Sequence, residues 1–476
     1  MIFTMIGGGA HRLLATSRCA LRDGVFAKGG EIRYYDLNEQ RAADMAAMLM
    51  KSPEYRQCPV KVSWQLTLDE ALKDADVVSV TLLAGPYDMM NRQNIAGYHY
   101  GFIGSDNVSY PGAFLALRGA PILMNVAKRM EVMCPNAILL DFANPVGVLS
   151  AMVRQYTSIQ CYGVCEGFNN HTWDLNRILT GIDKPNTDYV VDVAGINHLS
   201  FITRGTLDGE DLFKLIADRI EAVPNCPELV DFSAYKAPHA VKQMRDGLWQ
   251  TIDFFKTRHA LLFSNEGDGI NHFYHESAVA NNRTLTMNED GTGLNDTSFV
   301  RFNKEMQIDL EGRAEANRQF SAWAKLPAEE IPWTDPSKGV FHMSPRGDVQ
   351  SMILCGLAGV RPMRVAISSV NDGNILNFED GLACEFTHIV DQDGIHPVKG
   401  LKVPTTVLGM LSSLAIHQTM LAKACGSGDA KDLYEALLAY PIGSDTKAAK
   451  KLWKFLLHDS EKYIAPSFME LENYLA

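Results

Sequence analysis

Apolar runs and helical stripes alternate with a regular beat over the first two hundred residues. "MIFTMI" is an unbroken apolar run; "GGGAHRLLATSRCALR" follows as a glycine turn and an amphipathic helix. The beat repeats with the strand "EIRYYDLN", which ends in Asp36, and the helix "EQRAADMAAMLMKS". It continues through "VKVSWQ", the short helix "TLDEALKDA" and the β-branched run "DADVVSVTLL", which stops at Ala84 and Gly85. A long helix in "ALRGAPILMNVAKRMEVMCP", a buried strand in "AILLDFANPVGVL" ending at Asn144-Pro145, and a strand and turn in "CYGVCEGF" complete the series. Such alternation predicts a parallel sheet, and in an open parallel sheet functional groups gather beyond the carboxyl ends of the strands. Gly7 to Gly9, Asp36, Ala84, Asn144 and Cys165 all fall there.

Past about residue 195 the pattern changes to longer helical stretches, strands such as "VRPMRVAISSV" and "LACEFTHIV", and polar loops such as "MNEDGTGLNDTS". The reading is an α/β chain of two parts. Residues 1–195 form a doubly wound, Rossmann-like domain. Residues 196–476 form a mixed α+β catalytic domain. The segment "PTTVLGMLSSLAIHQTMLAKACGSGDAKDLYEALLAYP" adds a helical cover, whose apolar helices could carry the contact of a homodimer or homotetramer. With no repeat, low-complexity tract or Pro/Ser-rich linker between them, the two parts are expected to pack tightly.

Composition narrows the function without naming it. A net charge of -12 and no Lys/Arg block leave no electrostatic footprint for nucleic acid or an anionic membrane. No stretch approaches the roughly 18 apolar residues of a membrane helix. Nine cysteines in a long chain, without a C-x-x-C pair, read as reduced thiols, with Cys19, Cys134, Cys355 and Cys425 in the core. Small-molecule chemistry in the cytoplasm is the expectation.

Three motifs could carry that chemistry. Gly7-Gly8-Gly9-Ala10-His11-Arg12 has the G-x-G of a dinucleotide loop but Arg12 where the third glycine would stand. Any tight strand-to-helix turn needs glycine, yet placement after the first strand, with Asp36 ending the second, points to a pyrophosphate on the helix N-terminus and a ribose on the carboxylate, hence NAD rather than NADP. Cys165, with Glu166 beside it, and His198, in "AGINHLSFI", each follow an apolar run and are flanked by polar residues. A lone cysteine or histidine is ordinarily packing; together they would suit a divalent metal that keeps open positions for substrate oxygens. "SNEGDGINHFYHE" (Ser264 to Glu276) crowds Glu266, Asp268, His272, Tyr274, His275 and Glu276 together, and also reads simply as a polar loop before a helix.

In this order the motifs resemble glycoside hydrolase family 4, the NAD- and divalent-metal-dependent glycosidases. The likeness runs to about residue 410 through "IGGGA", "SYPGAFLALRGAPILMNVAKRM", "LLDFANPVGVL", "GVCEGF", "AGINHLSF", "GDGINHFYHE" and "VNDGNILNFEDGLACEFTHIVDQDGIHPVKG". A lactate- or malate-type dehydrogenase shares only the first domain. The resemblance implies NAD on Gly7, Gly8, Gly9, Ala10, Asp36 and Ala84, a manganese-type ion on Cys165 and His198, and a substrate contact at Asn144, to which Asn197, Arg118 and His272 are added as candidates.

It also implies a reaction. NAD+ takes hydride from C3 of the sugar, a base removes the acidified C2 proton while the metal steadies the enediolate, the glycosidic oxygen is eliminated with help from an acid, water adds, and hydride returns. Branches with aspartate after the cysteine use it as the acid, so Glu166 is the candidate here. Branches acting on 6-phosphoglycosides take their base from an Arg-Gly-Gly-x-Tyr block. The matching "RGDVQSM" has no tyrosine, which disfavours a phosphoglucosidase and moves the base to Asp268, with Tyr274, His272 or a hydroxide on the metal as alternatives. The substrate expected is a small unphosphorylated glycoside, neutral or anionic like a uronide or sulfosugar, α favoured. For an anionic one Arg118, Arg346 and Arg92 are possible counter-charges, or else structural ion-pair residues. An NAD-linked sugar or hydroxy-acid dehydrogenase with net cofactor turnover, and a nucleotide-binding protein without catalysis, stay open beside this reading.

Overall fold

The computed structural model describes residues 1–475 except 185–187, 236, 264–266, 284, 289–292, 336–338, 342, 344–346 and 443–444; the side chains of 168–171, 239, 267, 296 and 299 also lie outside the description. The predicted strands form, and in the predicted order: β1 (Ile2–Ile6), β2 (Glu31–Tyr35), β3 (Lys61–Trp64), β4 (Val77–Val80), β5 (Ile138–Asp141) and β6 (Gln160–Gly163). All pair in parallel, and β3-β2-β1-β4-β5-β6 is the order of a doubly wound dinucleotide fold. Alternate residues feed two cores: Val78, Leu139 and Cys161 enter one, and Val77, Leu140 and Tyr162 the other.

The later strands are β7 (Tyr189–Ile196), β8 (Leu199–Leu207), β9 (Glu210–Asp211), β10 (Leu261–Leu262), β11 (Met363–Val370), β12 (Ala383–Asp391) and β13 (Gly394–Pro397). They join the same sheet rather than starting another, in the order β10-β8-β7-β12-β11-β6. Residue 195, the expected boundary, therefore falls inside β7. The strand expected to end at Asn144-Pro145 stops at Asp141, and the "VGVL" after that dipeptide opens the helix Val146–Tyr156. The predicted C-terminal cover is present as Thr405–Ser427 and Ala430–Leu438, broken where Gly428 turns left-handed at φ +69°.

One register row aligns the site. Tyr35, Ile6, Val80, Asp141 and Gly163 are successive neighbours across the parallel half, and Gly163, Ser368, Glu385, Gly195 and Ser200 continue the row across the antiparallel half. The turn between β7 and β8, two residues beyond Gly195, is thereby level with the carboxyl ends of β1, β4, β5 and β6. All nine cysteines are free; Cys19, Cys134 and Cys355 are buried, while Cys425 is only partly so. Among the described residues no helix is long and apolar enough to cross a membrane.

Candidate active site

The glycine turn follows β1 with no room for side chains. Gly7 sits at φ +76°, and a Cβ there would stand 1.8 Å from the Thr81 carbonyl oxygen; at Gly8 it would meet the Tyr35 nitrogen at 2.9 Å. The Gly9 N–H donates to Asp36 Oδ2 (3.0 Å), while Arg41 lies along the turn and donates to the Gly9 carbonyl (2.8 Å). The Ala10 N–H turns back to the Gly7 carbonyl (3.0 Å), and helix Arg12–Arg22 starts two residues on. This is a cradle that a Cβ would fill, at a helix N-terminus and beside a strand-end carboxylate, which fits a dinucleotide. Ala84, beyond β4, is buried, and its carbonyl accepts from Arg118 Nε (3.0 Å).

The second cluster forms where the β7–β8 turn meets the end of β6. Cys165 Sγ and His198 Nε2 stand 3.9 Å apart, and His198 holds a left-handed φ of +68°. One ion with a thiolate at about 2.3 Å and an imidazole at about 2.1 Å would put the two atoms roughly 3.6 Å apart at a tetrahedral angle, so the pair fits a shared cation. His198 Nδ1 is engaged by Asp268 Oδ1 at 2.9 Å, the carboxylate-histidine arrangement that fixes the tautomer of a metal ligand. Gly269 makes that contact possible, since a Cβ there would be 1.8 Å from the His198 carbonyl oxygen. Asp268 Oδ2 accepts from the Ser105 hydroxyl. Burial would raise the Asp268 pKa, but the His198 imidazole and the Ser105 hydrogen bond hold it down to about 2. Burial likewise opposes a charged His198, and Asp268, with Cys165 behind it, pushes that pKa well above the usual histidine range. Among the described residues no group of three or more His, Cys, Asp or Glu side chains is arranged to hold a metal; Cys165 and His198 make a pair.

The substrate candidates divide. Asn144 Nδ2 donates to Asp106 (3.0 Å) at the end of β5. Asn197 is locked from two sides: Asn107 donates to its oxygen (2.8 Å), and its own Nδ2 donates to buried Glu385 (2.7 Å). Arg118 is 1% exposed and donates to Ala84, Gln93 and Ser460. His272 is buried between the Gly269 carbonyl and the Tyr440 hydroxyl (2.9 Å each). The Tyr274 hydroxyl donates to Asp253 at 3.0 Å. Arg92 is paired with Asp88 and Asp459, and Arg346 and Glu266 lie outside the described residues.

Several residues at the site were not singled out from the sequence. Arg12, noted only for displacing a glycine, lays its guanidinium on the Phe142 ring (3.7 Å) and comes within 3.9 Å of Glu166. The Val349 N–H also donates to Glu166 (3.3 Å), so the segment inspected for a missing tyrosine contributes a backbone donor and, one residue earlier, Asp348, which is bonded to Thr16. Ser105, Asp106 and Asn107 each support a predicted residue. Their signal was the polar triplet inside the glycine-flanked "GFIGSDNVSYPG".

The chain is similar to known enzymes over most of its length. The chain is 29% identical over 422 residues to the 6-phospho-beta-glucosidase of Escherichia coli, covering 87% of this chain and 84% of that one. It is 24% identical over 460 residues to the alpha-galacturonidase of Thermoanaerobacterium saccharolyticum, with 91% and 90% covered. Its fold matches the 6-phospho-beta glucosidase of Thermotoga maritima, solved with manganese, NAD+ and glucose-6-phosphate, with a TM-score of 0.72 at 19% identity over 98% and 99% of the two chains. The model of family 4 glycosyl hydrolases matches residues 3–180, that family's C-terminal domain matches residues 193–442, and the chain accordingly belongs to glycosyl hydrolase family 4.

Proposed function

We propose that this glycosidase cleaves a small unphosphorylated glycoside, neutral or anionic in the manner of a uronide or a sulfosugar and with the α anomer favoured, through transient oxidation at C3. The observation that carries the reading is the approach of Cys165 Sγ to His198 Nε2 at 3.9 Å, level with a glycine turn that fits a dinucleotide. Cys165 and His198 would hold a manganese-type ion; Gly7, Gly8, Gly9, Ala10, Asp36 and Ala84 would hold NAD. Once bound, NAD is the oxidant and later the reductant for C3, and the cation polarises the vicinal oxygens at C2 and C3. The manganese and NAD+ of the Thermotoga enzyme support this pair, while relatives named for 6-phosphoglucosides and for galacturonides leave the sugar to be decided by experiment.

The chain's own residues would do the following. Asn144 receives sugar hydroxyls, while Asn197, named with it as a candidate substrate contact, is buried against Asn107 and Glu385 and acts at one remove by holding the turn that carries His198. Arg118 acts at one remove by fixing the Ala84 carbonyl, and His272 by fixing the Gly269 carbonyl beside Asp268. Asp268 orients His198 and is the ionised carboxylate placed to take the C2 proton. Glu166 stands beside the leaving group as the acid, with Arg12 and the Val349 amide fixing its carboxyl. The setting is a homodimer or homotetramer in the cytoplasm.

A panel of neutral, uronic, sulfonated and phosphorylated nitrophenyl glycosides, assayed with NAD+ and Mn2+ withheld in turn, tests the reading. Cleavage that needs both, without accumulation of NADH, is expected. Net NADH formation would make the chain a dehydrogenase. Asp268→Asn separates two roles: lost C2-hydrogen exchange with retained Mn2+ binding marks the base, and lost Mn2+ binding marks the orienting group.

A further inference from the structure

The longest helix of the chain, Asp296–Trp323, is anchored at both ends and bare between them. Phe302 (5% exposed) and Met306 (8%) are buried near one end, Phe320 (3%) and Ala324 (6%) at the other, while positions 307 to 318 are all exposed. At 100° per residue, Leu310, Arg313 and Asn317 lie within about 40° of Met306, on the stripe that carries the buried anchors. The same stripe is thus buried at both ends and exposed over about 21 Å between Met306 and Phe320, with Arg313 against the Tyr87 ring on the way.

What lies at the two ends identifies what lies between. Asn91 approaches the Met306 sulfur (3.8 Å) and Arg313 stacks on the Tyr87 ring (3.6 Å); both partners belong to the helix Tyr87–His99, which begins just after Ala84, Gly85 and Pro86 beyond β4. At the other end the Phe320 ring stacks on His11 (centroids 4.3 Å apart, planes at 14°), directly after the glycine turn of β1, and Ser321 donates to Asp44 in the helix after β2. The helix therefore runs from the β4 side of the sheet to the β2 side and crosses the carboxyl ends of β1 and β4, where a doubly wound sheet takes its dinucleotide. Its outward face carries the exposed pairs Arg301–Glu305, Gln307–Glu311 and Arg318–Glu315, a solvated surface rather than a protein contact.

We infer that the helix Asp296–Trp323 is a strap over the bound dinucleotide, with Arg313 and Asn317 contacting the cofactor from the side opposite the glycine turn. Stacking on Tyr87 leaves the edge N–H groups of Arg313 free to donate to a pyrophosphate or ribose oxygen, a geometry lysine could not supply. Asn317, one turn before Phe320, offers an amide close to the helix N-terminus at Arg12. The inference rests on the proposal that this chain binds NAD.

Calorimetric titration of the full chain with NAD+ tests it. Arg313→Ala is expected to raise the Kd at least tenfold and Asn317→Ala about threefold, as for a charge-assisted and a neutral hydrogen bond. Ile308→Ala, on the opposite face, is expected to stay within twofold. In the wild-type chain, amide hydrogen exchange over 307–318 is expected to slow when NAD+ is added. Unchanged Kd in both stripe variants, with unchanged exchange, overturns the strap. So does a change in self-association of Arg313→Ala without a change in Kd, which would make the helix a subunit contact. If the wild-type chain shows no NAD+ binding at all, the cofactor proposal falls with it; if it binds and the variants bind equally, only the strap falls.

Discussion

Replacing Glu385 should loosen the turn that carries His198 without touching either of the two proposed metal ligands. Glu385 lies on β12, 5% exposed, and accepts from Asn197 Nδ2 at 2.7 Å and from the Ser200 hydroxyl at 3.1 Å, so it grips the chain on both sides of His198. Glu385→Ala leaves both donors unpaired in a buried site. Hydrogen bonds to a charged group are worth about 1.5–3 kcal/mol each, so losing the pair costs about 3–6 kcal/mol. Glu385→Gln keeps the shape and one acceptor, since the Ser200 hydroxyl can rotate to accept from the new amide, so only the charge is lost, about 1–2 kcal/mol. Felt only by the assembled turn, that loss lowers Mn2+ affinity about 5- to 30-fold, within the range of other groups that support metal ligands. Urea unfolding of the metal-free chain reads the stability term, and titration of Mn2+ followed by the electron paramagnetic resonance of the free ion reads the affinity. If Mn2+ affinity stays within twofold in both variants while stability falls, the carboxylate merely fills the core and the argument is refuted.

Gly7→Ala should fold poorly, because its Cβ would meet the Thr81 carbonyl oxygen at 1.8 Å at a φ of +76°; soluble yield and thermal midpoint should both drop, and a wild-type-like melt would show that the turn can move. Glu31 carries a pH signature: burial would raise its pKa, but Arg33 (3.0 Å), Ser63 (2.8 Å) and Lys61 (3.1 Å) bring it from 4.5 down to about 2. A depressed carboxylate stabilises the fold above its unfolded pKa, so the gap between wild type and Glu31→Gln should be full above about pH 4.5 and vanish by about pH 2. Discounted for the solvated Lys61, it is about 1–2 kcal/mol, and a gap that does not change with pH would exclude this origin. Glu166→Gln should slow cleavage of glycosides with poor leaving groups and spare nitrophenyl glycosides; equal rates on both classes would remove Glu166 as the acid.

The parallel half of the fold was legible because each of its signals is local. A period-two run, a glycine turn and a 3.6-residue stripe need no knowledge of distant residues, so β1, β2, β4 and β6 and the placement of Asp36, Asn144 and Cys165 could be read directly. Partners supplied from afar were not legible. Nothing near residue 385 announces that its carboxylate will meet Asn197, 188 positions earlier, and nothing near Val349 marks it as a donor to Glu166, 183 positions earlier. Arg118 shows how a local sequence leaves two readings open. An arginine in an apolar helix suggests an anion site or a structural residue; its Nε and Nη1 donate to Ala84, Gln93 and Ser460 in the chain itself, while its buried Nη2 has no partner among the described residues.

Cys165 and His198 are only 33 residues apart, but their strands are not neighbours: β11 and β12, drawn from residues 363 to 391, lie between β6 and β7 in the sheet. During synthesis, therefore, both residues leave the ribosome long before the strands that set their spacing. Contacts between such distant segments form late, so the 3.9 Å approach of Cys165 to His198 is completed only after residue 391 has emerged. If the pair holds the proposed ion, metal loading would follow completion of the sheet rather than nucleate its folding.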